Sequence, residues 1–325
     1  MNHKELLDIN DLKVRFYTYS GSVKAVDGVD LSIGKSEVVG IVGESGSGKS
    51  TLAFAVMRLL PKKAKITSGS IVFDGRDLTR LNEDEVKEIR GRKDSMVFQD
   101  PLSFLNPVMR IGDQVAESIM MKKNMDKQHA RQNAMELIEK VRIPRARQIM
   151  DEYPHQLSGG MRQRVLIAIA MSSDPYLLIA DEPTTALDVT VQAQILSLLK
   201  DVSRTTGTSI MLITHDLGIV AETCDRVYVM YAGRIFEFAN ADALFENPLH
   251  PYTIALLDSA LSIEQFKENL VGISGDVPSL ITPPSGCRFH PRCSKAKPIC
   301  SREQPRLKLD DKGHGVYCWL YNGEE

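Results

Sequence analysis

The first forty residues contain short apolar-rich segments separated by polar positions. Three segments have this character: LKVRFYTY (12–19), VDLSI (29–33) and EVVGIVG (37–43). Gly34 and Gly40 interrupt the runs, and this spacing is typical of β-strands. The pattern predicts a β-rich start that leads into a buried strand.

From Asp113 to Val141 the apolar residues recur at helical spacing, in a background of Met, Ala, Gln, Lys and Glu. Such periodicity and composition are typical of amphipathic helices. We therefore predict a helical insertion over roughly residues 91–164, with the usual uncertainty at its ends.

Two further apolar runs, YLLIAD (176–181) and SIMLITHD (209–216), end in acidic or imidazole groups. The stretch between them, VQAQILSLLKDVSRTT (191–206), has a helical pattern. Parallel strands joined by a crossover helix have this order, so the pattern favours an α/β fold with a parallel sheet.

The pattern changes again near residue 240, where prolines become frequent. We interpret the tail as a separate, loop-rich extension over residues 241–325, because proline interrupts helices and central strands. The prolines on which this rests are Pro248, Pro251, Pro278, Pro283, Pro284, Pro291, Pro298 and Pro305.

Composition adds limits rather than a function. Of the 325 residues 43% are hydrophobic, which is enough for ordinary globular burial, and the net charge of −2 gives no support to nucleic-acid binding. The start MNHKELLDIN lacks the basic start and apolar core of a secretion signal, so a cytosolic chain is expected. The run from Val165 to Met171 is much shorter than the roughly 20 residues that span a bilayer, so membrane association would require another subunit.

The segment from Gly43 to Ser50, GESGSGKS, fits the phosphate-loop pattern and lies between an apolar strand and the helical sequence TLAFAVMRLL. Its glycines allow successive N–H groups to face phosphates, while Lys49 supplies a charge and Ser50 a hydroxyl for Mg²⁺. We expect nucleotide contacts from the whole loop: Gly43, Glu44, Ser45, Gly46, Ser47, Gly48, Lys49, Ser50 and Thr51.

Polar residues at the ends of the other predicted strands complete an ATPase. Asp181 is expected to hold Mg²⁺ and Glu182 to deprotonate the attacking water. His215 follows the next strand and could hydrogen-bond the γ-phosphate, because ligands collect at the carboxyl ends of parallel strands. Gln99, in MVFQDP, is a candidate for sensing the γ-phosphate, Mg²⁺ and water.

A second anion site is predicted in HQLSGGMRQR (155–164). Ser158, Gly159 and Gly160 precede a helix, whose positive end favours anions. Because Lys49 already serves the nucleotide of its own chain, the second loop has a natural role only if it closes over a nucleotide held by another chain. One chain then contributes half of each of two sites.

This ordered set resembles the nucleotide-binding domain of ATP-binding-cassette (ABC) transporters over roughly the first 240 residues. The resemblance rests on Gly43–Ser50, Gln99, LSGGM (157–161), LLIADE (177–182), ALD (186–188) and His215. It implies a P-loop NTPase fold with an antiparallel β subdomain and a helical subdomain, and a head-to-tail dimer with two ATP molecules. Asp188 would lie in the loop that links the two sites, and Tyr19, with Tyr17 as the alternative, would stack on adenine. The commoner signature has glutamine where this chain has Met161.

The tail resembles the C-terminal extension of ATPase subunits of dipeptide and oligopeptide importers, a group that includes nickel importers. The similar segments are ENPLHPYTIALLDS (246–259) and GCRFHPRC (286–293). The resemblance implies a motor subunit on the cytoplasmic face of the membrane, working with a second ATPase, two permease subunits and an extracytoplasmic solute-binding protein. The stretch NPVMRIGDQVAESI (106–119) would then lie near the permeases, or be a helix packed on its own core.

Four of the five cysteines lie in the last forty residues: Cys287, Cys293, Cys300 and Cys318. In a reducing compartment this clustering points to metal rather than disulfides. Four thiolates suit a [4Fe–4S] cluster or a structural Zn²⁺, and the absence of CxxC pairs favours the cluster. The importer resemblance favours it further, whereas Cys224 is expected to be a small core residue.

Two other classes of protein compete with this interpretation. A soluble cassette ATPase acting on DNA or ribosomes usually carries two cassettes or a long coiled coil, and the sequence has neither. An iron–sulfur redox enzyme with accessory ATP binding would need a substrate pocket that the tail does not suggest. The transported solute, and whether the partner ATPase is identical, stay open.

Overall fold

The computed structural model describes residues 5–185, 187–264 and 273–322. Ala186, in the predicted loop that links the two sites, lies outside these residues. Within them the strands are β1 Leu7–Thr18, β2 Gly21–Ile33, β3 Val38–Val42, β4 Ala64–Phe73, β5 Arg76–Asp77, β6 Asp94–Val97, β7 Leu177–Asp181, β8 Ser209–Ile213, β9 Arg226–Tyr231, β10 Arg234–Asn240, β11 Leu307–Leu309 and β12 Gly315–Tyr317.

The α-helices in the same residues are α1 Lys49–Val56, α2 Glu83–Ile89, α3 Pro101–Phe104, α4 Ile111–Lys123, α5 Lys127–Lys140, α6 Ala146–Ile149, α7 Gly159–Met171, α8 Val189–Thr206, α9 Leu217–Thr223, α10 Ala241–Glu246 and α11 Pro251–Glu264. Short 3-10 turns occupy Pro154–Gln156, His290–Arg292 and Pro298–Ser301. None of the helices in this part of the chain is long and apolar enough to cross a membrane.

The chain divides into two compact units. Of the described residues, the first unit comprises 5–6, 34–38, 81–185 and 187–213, and the second comprises 7–33, 39–80, 214–264 and 273–322. Both units contain α-helices and β-strands, as the α/β prediction requires.

In the first unit, β6, β7 and β8 form parallel neighbours in the order β8-β7-β6. Every residue of β7 and β8 is buried, which explains their continuous apolar sequences. The crossover helix α8 joins them, beginning at the cap residue Asp188 and ending at Gly207, whose φ is 74°. The predicted pair of parallel strands with a crossover helix is therefore confirmed.

The helical region predicted over residues 91–164 contains α3, α4, α5 and α6 and the start of α7, but its first residues form β6 of the parallel sheet rather than a helix. Polar caps set the helix boundaries: the Asp126 side chain accepts hydrogen bonds from the N–H groups of Gln128 and His129 at the start of α5. Arg131 of α5 pairs with Asp113 of α4 and with Asp151 at 2.8 and 2.7 Å, which ties these segments together.

In the second unit, β1, β2, β4 and β5 form an antiparallel sheet in the order β2-β1-β4-β5. The predicted antiparallel β subdomain is present, but its strands are longer than the apolar runs indicated. The sequence suggested that Gly40 interrupts a strand, and this was wrong, because Gly40 lies within β3. A Cβ there would approach Cys224 Sγ and Val220 Cγ1 to 3.0 Å, so the glycine permits close packing of β3 on α9.

A second group of strands in this unit places the tail on the ATPase body. Parallel to β3 runs β9, followed by β10, β12 and β11 in antiparallel order. The extension therefore supplies two strands and the helices α10 and α11, which the proline count did not predict. Its aromatic residues join those of the body, because Tyr252 and Phe289 pack against Tyr231 with ring centroids 4.6 and 5.3 Å apart.

Candidate functional site

The predicted phosphate loop connects β3 to α1 in the second unit, and its glycines are sterically required. Gly43 has φ 149° and Gly48 has φ 104°. A Cβ would come within 2.0 Å of the Met230 carbonyl oxygen at Gly43, and within 2.2 Å of the Ala25 carbonyl oxygen at Gly48. Gly46, with φ 76°, lies at the exposed tip of the loop with open space around it.

Lys49 begins α1 and is buried within the loop. Its ammonium donates to the Gly43 and Glu44 carbonyl oxygens at 2.7 and 3.0 Å and approaches Ser47 Oγ at 3.4 Å. A further hydrogen bond holds the loop in place, because the Gly233 N–H donates to the Ser47 carbonyl oxygen at 2.8 Å. The loop thus concentrates N–H groups and one cation at a helix start, an arrangement suited to phosphate.

Two residues of the extension, which the sequence did not single out for this role, hold Glu44 of the loop. The Glu44 N–H donates to Tyr252 Oη at 2.9 Å. Its carboxylate accepts from both terminal nitrogens of Arg292, at 2.8 and 3.1 Å. Although burial opposes charge on Arg292, its hydrogen bonds to Glu44 and Tyr231 raise the guanidinium pKa above its ordinary value. No motif predicts this contact, because Glu44 and Arg292 are distant in sequence.

The acidic strand end lies in the first unit. Asp181 ends β7 and is buried, and Glu182 follows it with φ 46°, a left-handed conformation that costs energy for a residue with a side chain. The Glu182 carboxylate accepts from Gln99 Nε2 at 2.9 Å and from Thr185 Oγ1 at 3.0 Å. The structure thus brings together Gln99 and Glu182, predicted separately, and adds Thr185.

Two predicted nucleotide contacts are exposed and lie in the second unit. Tyr19 is fully exposed in the turn between β1 and β2, whereas Tyr17 is half exposed and its backbone N–H donates to the Lys63 carbonyl oxygen. His215 is exposed after Thr214, whose N–H donates to the Ile41 carbonyl oxygen of β3. These positions leave both side chains accessible, and their roles stay predictions.

The second loop begins α7, as predicted. Ser158 is the N-cap, with its hydroxyl accepting from the Met161 N–H at 3.4 Å, and Ser158 and Gly159 are exposed. Gly160 is packed closely, since a Cβ there would lie 2.5 Å from Val191 Cγ1. The helix therefore presents its N-terminus with little side-chain cover.

The arginines that follow this loop serve the fold. Arg162 Nε donates to the Pro154 carbonyl oxygen at 2.8 Å, and Arg164 donates to the Val141 carbonyl oxygen and to Gln194 Oε1, each at 2.9 Å. Asp188 is exposed at the start of α8, where its side chain accepts from the Val191 N–H at 2.9 Å. Asp188 is therefore the N-cap of α8, and its role between two sites stays a prediction.

The cysteines separate into the two groups expected from the sequence. Cys224 is buried under β3, which confirms it as a core residue. Cys287, Cys293, Cys300 and Cys318 line one small cavity in the second unit. None of the five forms a disulfide.

Burial opposes ionisation of two of these thiols. Burial, reinforced by the neighbouring thiols, raises the pKa of Cys287 to about 12 and that of Cys318 to about 11. In the residues that the structure describes, no three His, Cys, Asp or Glu side chains are arranged to hold a metal ion. The predicted [4Fe–4S] or Zn²⁺ site at these cysteines is therefore not supported by the described residues.

One buried group nevertheless fits an anionic occupant of this cavity. His250 also lines it; its Nδ1 accepts from the Tyr252 N–H at 3.0 Å, so the neutral ring carries its proton on Nε2. That nitrogen is buried without a hydrogen-bond partner, and burial lowers the pKa of His250 to about 3. An orphaned N–H beside four sulfurs suits thiolates or sulfide.

The phosphate loop and the carboxylate at a strand end define a P-loop ATPase, and the separate serine–glycine helix start points to the cassette class. Residues 26–185 match the family model described as ABC transporter, and residues 236–300 match that of the oligopeptide/dipeptide transporter C-terminal region. The chain is 52% identical to the oligopeptide transport ATP-binding protein AppD of Bacillus subtilis (strain 168), over 98% of each chain. It is 49% identical to the oligopeptide transport ATP-binding protein OppD of Escherichia coli (strain K12), over 92% of this chain and 89% of that protein.

Solved structures agree with this class. A dimeric post-hydrolysis structure of the ATP-binding cassette MJ0796 with ADP and Pi has a TM-score of 0.66 and 28% identity, over 72% of this chain and 98% of that one. The cbiO1 structure from Clostridium perfringens has a TM-score of 0.64 and 30% identity, over 75% of this chain and 91% of that one. The chain belongs to the ABC transporter family, among the ATP-binding proteins of oligopeptide and dipeptide transporters, and it hydrolyses ATP to ADP and phosphate.

Proposed function

We propose that this ATPase is a motor subunit of a membrane ABC importer for dipeptides or oligopeptides. The observation that carries the proposal is similarity to peptide-transport ATP-binding proteins over 98% of the chain, including the extension. ATP binding and hydrolysis between two cassettes would drive uptake, with no nucleic acid involved. Within the chain, residues 1–240 form the ATPase domain, 91–164 its helical subdomain and 241–325 the extension.

The partners follow from this function. A second ATPase subunit, identical or homologous, faces this one, as in the dimeric MJ0796 structure. Two permease subunits hold the pair at the cytoplasmic face of the membrane, and an extracytoplasmic solute-binding protein delivers the peptide. A complex purified from membranes should contain two polytopic subunits, and peptides should stimulate its ATPase. Stimulation by Ni²⁺ alone, or sedimentation with ribosomes or DNA, would contradict the peptide assignment.

Within the site, we propose that Lys49 and the loop N–H groups bind the ATP phosphates while Ser50, Asp181 and Gln99 hold Mg²⁺. Glu182 acts as general base for the attacking water. Gln99 orients the Glu182 carboxylate through the 2.9 Å hydrogen bond from Gln99 Nε2. His215 contacts the γ-phosphate and Tyr19 stacks on adenine. Ser158, Gly159 and Gly160 close over the nucleotide of the facing subunit, with Asp188 between the two sites.

The general-base assignment has a direct test in Glu182→Gln. The amide keeps the shape and an acceptor oxygen but cannot take a proton, so turnover should fall by about 10²–10⁴ while nucleotide affinity is kept. Steady-state hydrolysis and equilibrium binding of MgATP measure the two effects. Glu136→Gln, an exposed change on α5, is the matched control and should hydrolyse ATP normally. Near-normal turnover of Glu182→Gln would refute the role.

We further propose that Cys287, Cys293, Cys300 and Cys318 bind metal, as a [4Fe–4S] cluster rather than Zn²⁺. The support is their shared cavity and the unpartnered His250 N–H beside it. Such a group would tie down the extension. Anaerobically purified chain should be brown and contain iron and acid-labile sulfide. Cys300→Ser should lose them, whereas Cys224→Ser should keep them; a colourless chain with one zinc would decide for the alternative.

A further inference from the structure

The extension contacts the phosphate loop at Glu44, through both the backbone and the side chain of that residue. Tyr252 Oη receives the Glu44 N–H at 2.9 Å, and Arg292 donates two hydrogen bonds to the Glu44 carboxylate. Tyr252 is fully buried, and the Arg292 side chain is only 5% exposed. The Glu44 side chain is 22% exposed, so this two-pronged contact is partly buried and differs from a fully exposed ion pair, whose contribution is small.

Arg292 is itself fixed by the residues around it. Its Nε donates to the Ser274 carbonyl oxygen at 2.9 Å, and its terminal nitrogens donate to the Ile273 carbonyl oxygen at 3.0 Å and to Tyr231 Oη at 3.1 Å. The guanidinium also lies 5.8 Å from the Tyr231 ring centroid. These contacts hold the Arg292 side chain in one position. Arg292 therefore fixes the position of the Glu44 carboxylate, and not the reverse.

A second connection reaches the other side of the same loop. Arg288 donates to the Ala232 carbonyl oxygen and to Asp27. The next residue, Gly233, donates its N–H to the Ser47 carbonyl oxygen at 2.8 Å. The extension therefore supports the loop at Glu44 directly and at Ser47 through one intervening strand turn.

We propose that Arg292 and Tyr252 are positioning residues for ATP binding. They act through Glu44, which precedes the exposed tip of the loop, and they fix the loop in the shape that directs its N–H groups at the phosphates. Preorganised N–H groups bind without having to be ordered first, so loss of the hold weakens nucleotide binding more than it slows the chemical step. This inference rests on the proposed role of Gly43–Thr51 as the ATP phosphate loop.

The test uses the full-length chain and a non-hydrolysable ATP analogue with Mg²⁺, followed by steady-state hydrolysis in the assembled complex. Tyr252→Phe removes one hydroxyl and leaves the Glu44 N–H without that acceptor. We expect affinity to fall roughly tenfold, and the KM for ATP to rise by a similar factor with kcat little changed. Tyr321→Phe is the matched control, because Tyr321 Oη donates to the Leu249 carbonyl oxygen in the same extension.

Arg292→Lys keeps the charge but loses the two-pronged contact, and should weaken binding by a similar factor. Arg302→Lys, an exposed change in the same extension, should bind normally. The double variant Arg292→Lys, Glu44→Gln should bind the ATP analogue no more weakly than the weaker-binding of the two single variants. Both changes remove the same contact, so their effects on affinity should not add. Additive losses would contradict a shared role. Thermal unfolding of each variant shows whether the chain is folded.

Lys49→Ala separates the two levels of the proposal. If Lys49→Ala binds nucleotide normally, the phosphate-loop assignment itself is wrong. If Lys49→Ala loses binding while Tyr252→Phe and Arg292→Lys match Tyr321→Phe and Arg302→Lys, the loop assignment stands and the positioning role is refuted. A fall in unfolding temperature with unchanged affinity would likewise reduce both residues to a structural role.

Discussion

At the scale of single residues, Glu182 holds its carboxylate just beyond the end of β7 in a left-handed backbone conformation. The position of Glu182 after an apolar strand and before a proline indicated a carboxylate at a strand end. Nothing in the sequence indicated its φ of 46° or the bond from its N–H to the Ile213 carbonyl oxygen at 2.8 Å. That conformation depends on the neighbouring strand, and the Thr185 contact depends on the turn, so neither could follow from motif spacing.

Asp94 provides a residue-scale prediction on pH. Burial raises the pKa of this carboxyl from its ordinary 3.8 to about 6, against the opposing hydrogen bond from Gly91. Between pH 4 and pH 6 the folded chain binds more protons than the unfolded chain, so stability falls as pH rises through this window. Asp94→Asn should remove that fall and raise the free energy of unfolding at pH 7 by about 2 kcal/mol.

Urea unfolding at pH 4 and pH 7 checks the Asp94 prediction, with the Asn variant gaining only at the higher pH. Lys122 limits the gain, because burial lowers its pKa to about 8 and Asp94 is its opposing charge. Asp84→Asn is the matched control, since Asp84 forms an exposed pair with Lys87 on α2. Equal gains at both pH values would refute the titration of Asp94 as the cause.

At the scale of elements, the predictable parts were those with strong local patterns. The fully buried strands β7 and β8, and the amphipathic helix α8 between them, could be recognised from hydrophobicity alone. By contrast, β12 has only three residues. It is a strand because it pairs with β10, which lies about eighty positions earlier in the chain. A strand that short carries too little pattern, so the tail was interpreted as loops.

Glu237 of β10 joins several elements of the second unit and is fully buried. Its carboxylate accepts from the N–H groups of Leu249 and His250 at 2.7 and 2.8 Å and contacts His314 Nε2 at 2.7 Å. Glu237→Gln replaces one acceptor oxygen by an NH₂ group, leaving a buried donor facing another donor. We expect the free energy of unfolding to fall by about 1–3 kcal/mol.

Chemical denaturation measures the Glu237 effect. Glu246→Gln, an exposed change on α10, makes the same chemical replacement and should leave stability within about 0.5 kcal/mol of the native value. If Glu237→Gln were equally harmless, the carboxylate would not be the junction between β10, α11 and the segment around His314.

At the scale of the whole molecule, the proposed split site predicts that the loop at Ser158 acts only in a pair of cassettes. Ser158→Arg should leave ATP affinity of the isolated chain intact, because its own site uses Lys49. Hydrolysis by the assembled complex should fall at least tenfold, since a bulky cation replaces the small residue expected to face the partner's nucleotide. Nucleotide binding to the isolated chain and turnover of the complex measure the two effects separately.

Asn82→Arg is the matched control for Ser158→Arg. Asn82 is likewise an exposed N-cap, at α2, so the change removes a helix cap and adds a charge at a helix start that is not among the predicted nucleotide contacts. Loss of the cap itself costs about 1 kcal/mol of stability in either variant. If the isolated Ser158→Arg chain lost ATP binding, the split-site arrangement would be wrong.

The contact between Arg292 and Glu44 also has a consequence for the order of events during synthesis of the chain. The two residues are 248 positions apart, and ribosomes add roughly 5–20 residues per second, so about 10–50 s separate their synthesis. The phosphate loop is therefore made early, but its contact with Arg292 becomes possible only after about nine-tenths of the chain has been made. A chain terminated before Arg292 carries the complete nucleotide motifs without the residue that fixes the shape of the phosphate loop, so high ATP affinity marks a chain extended beyond Arg292.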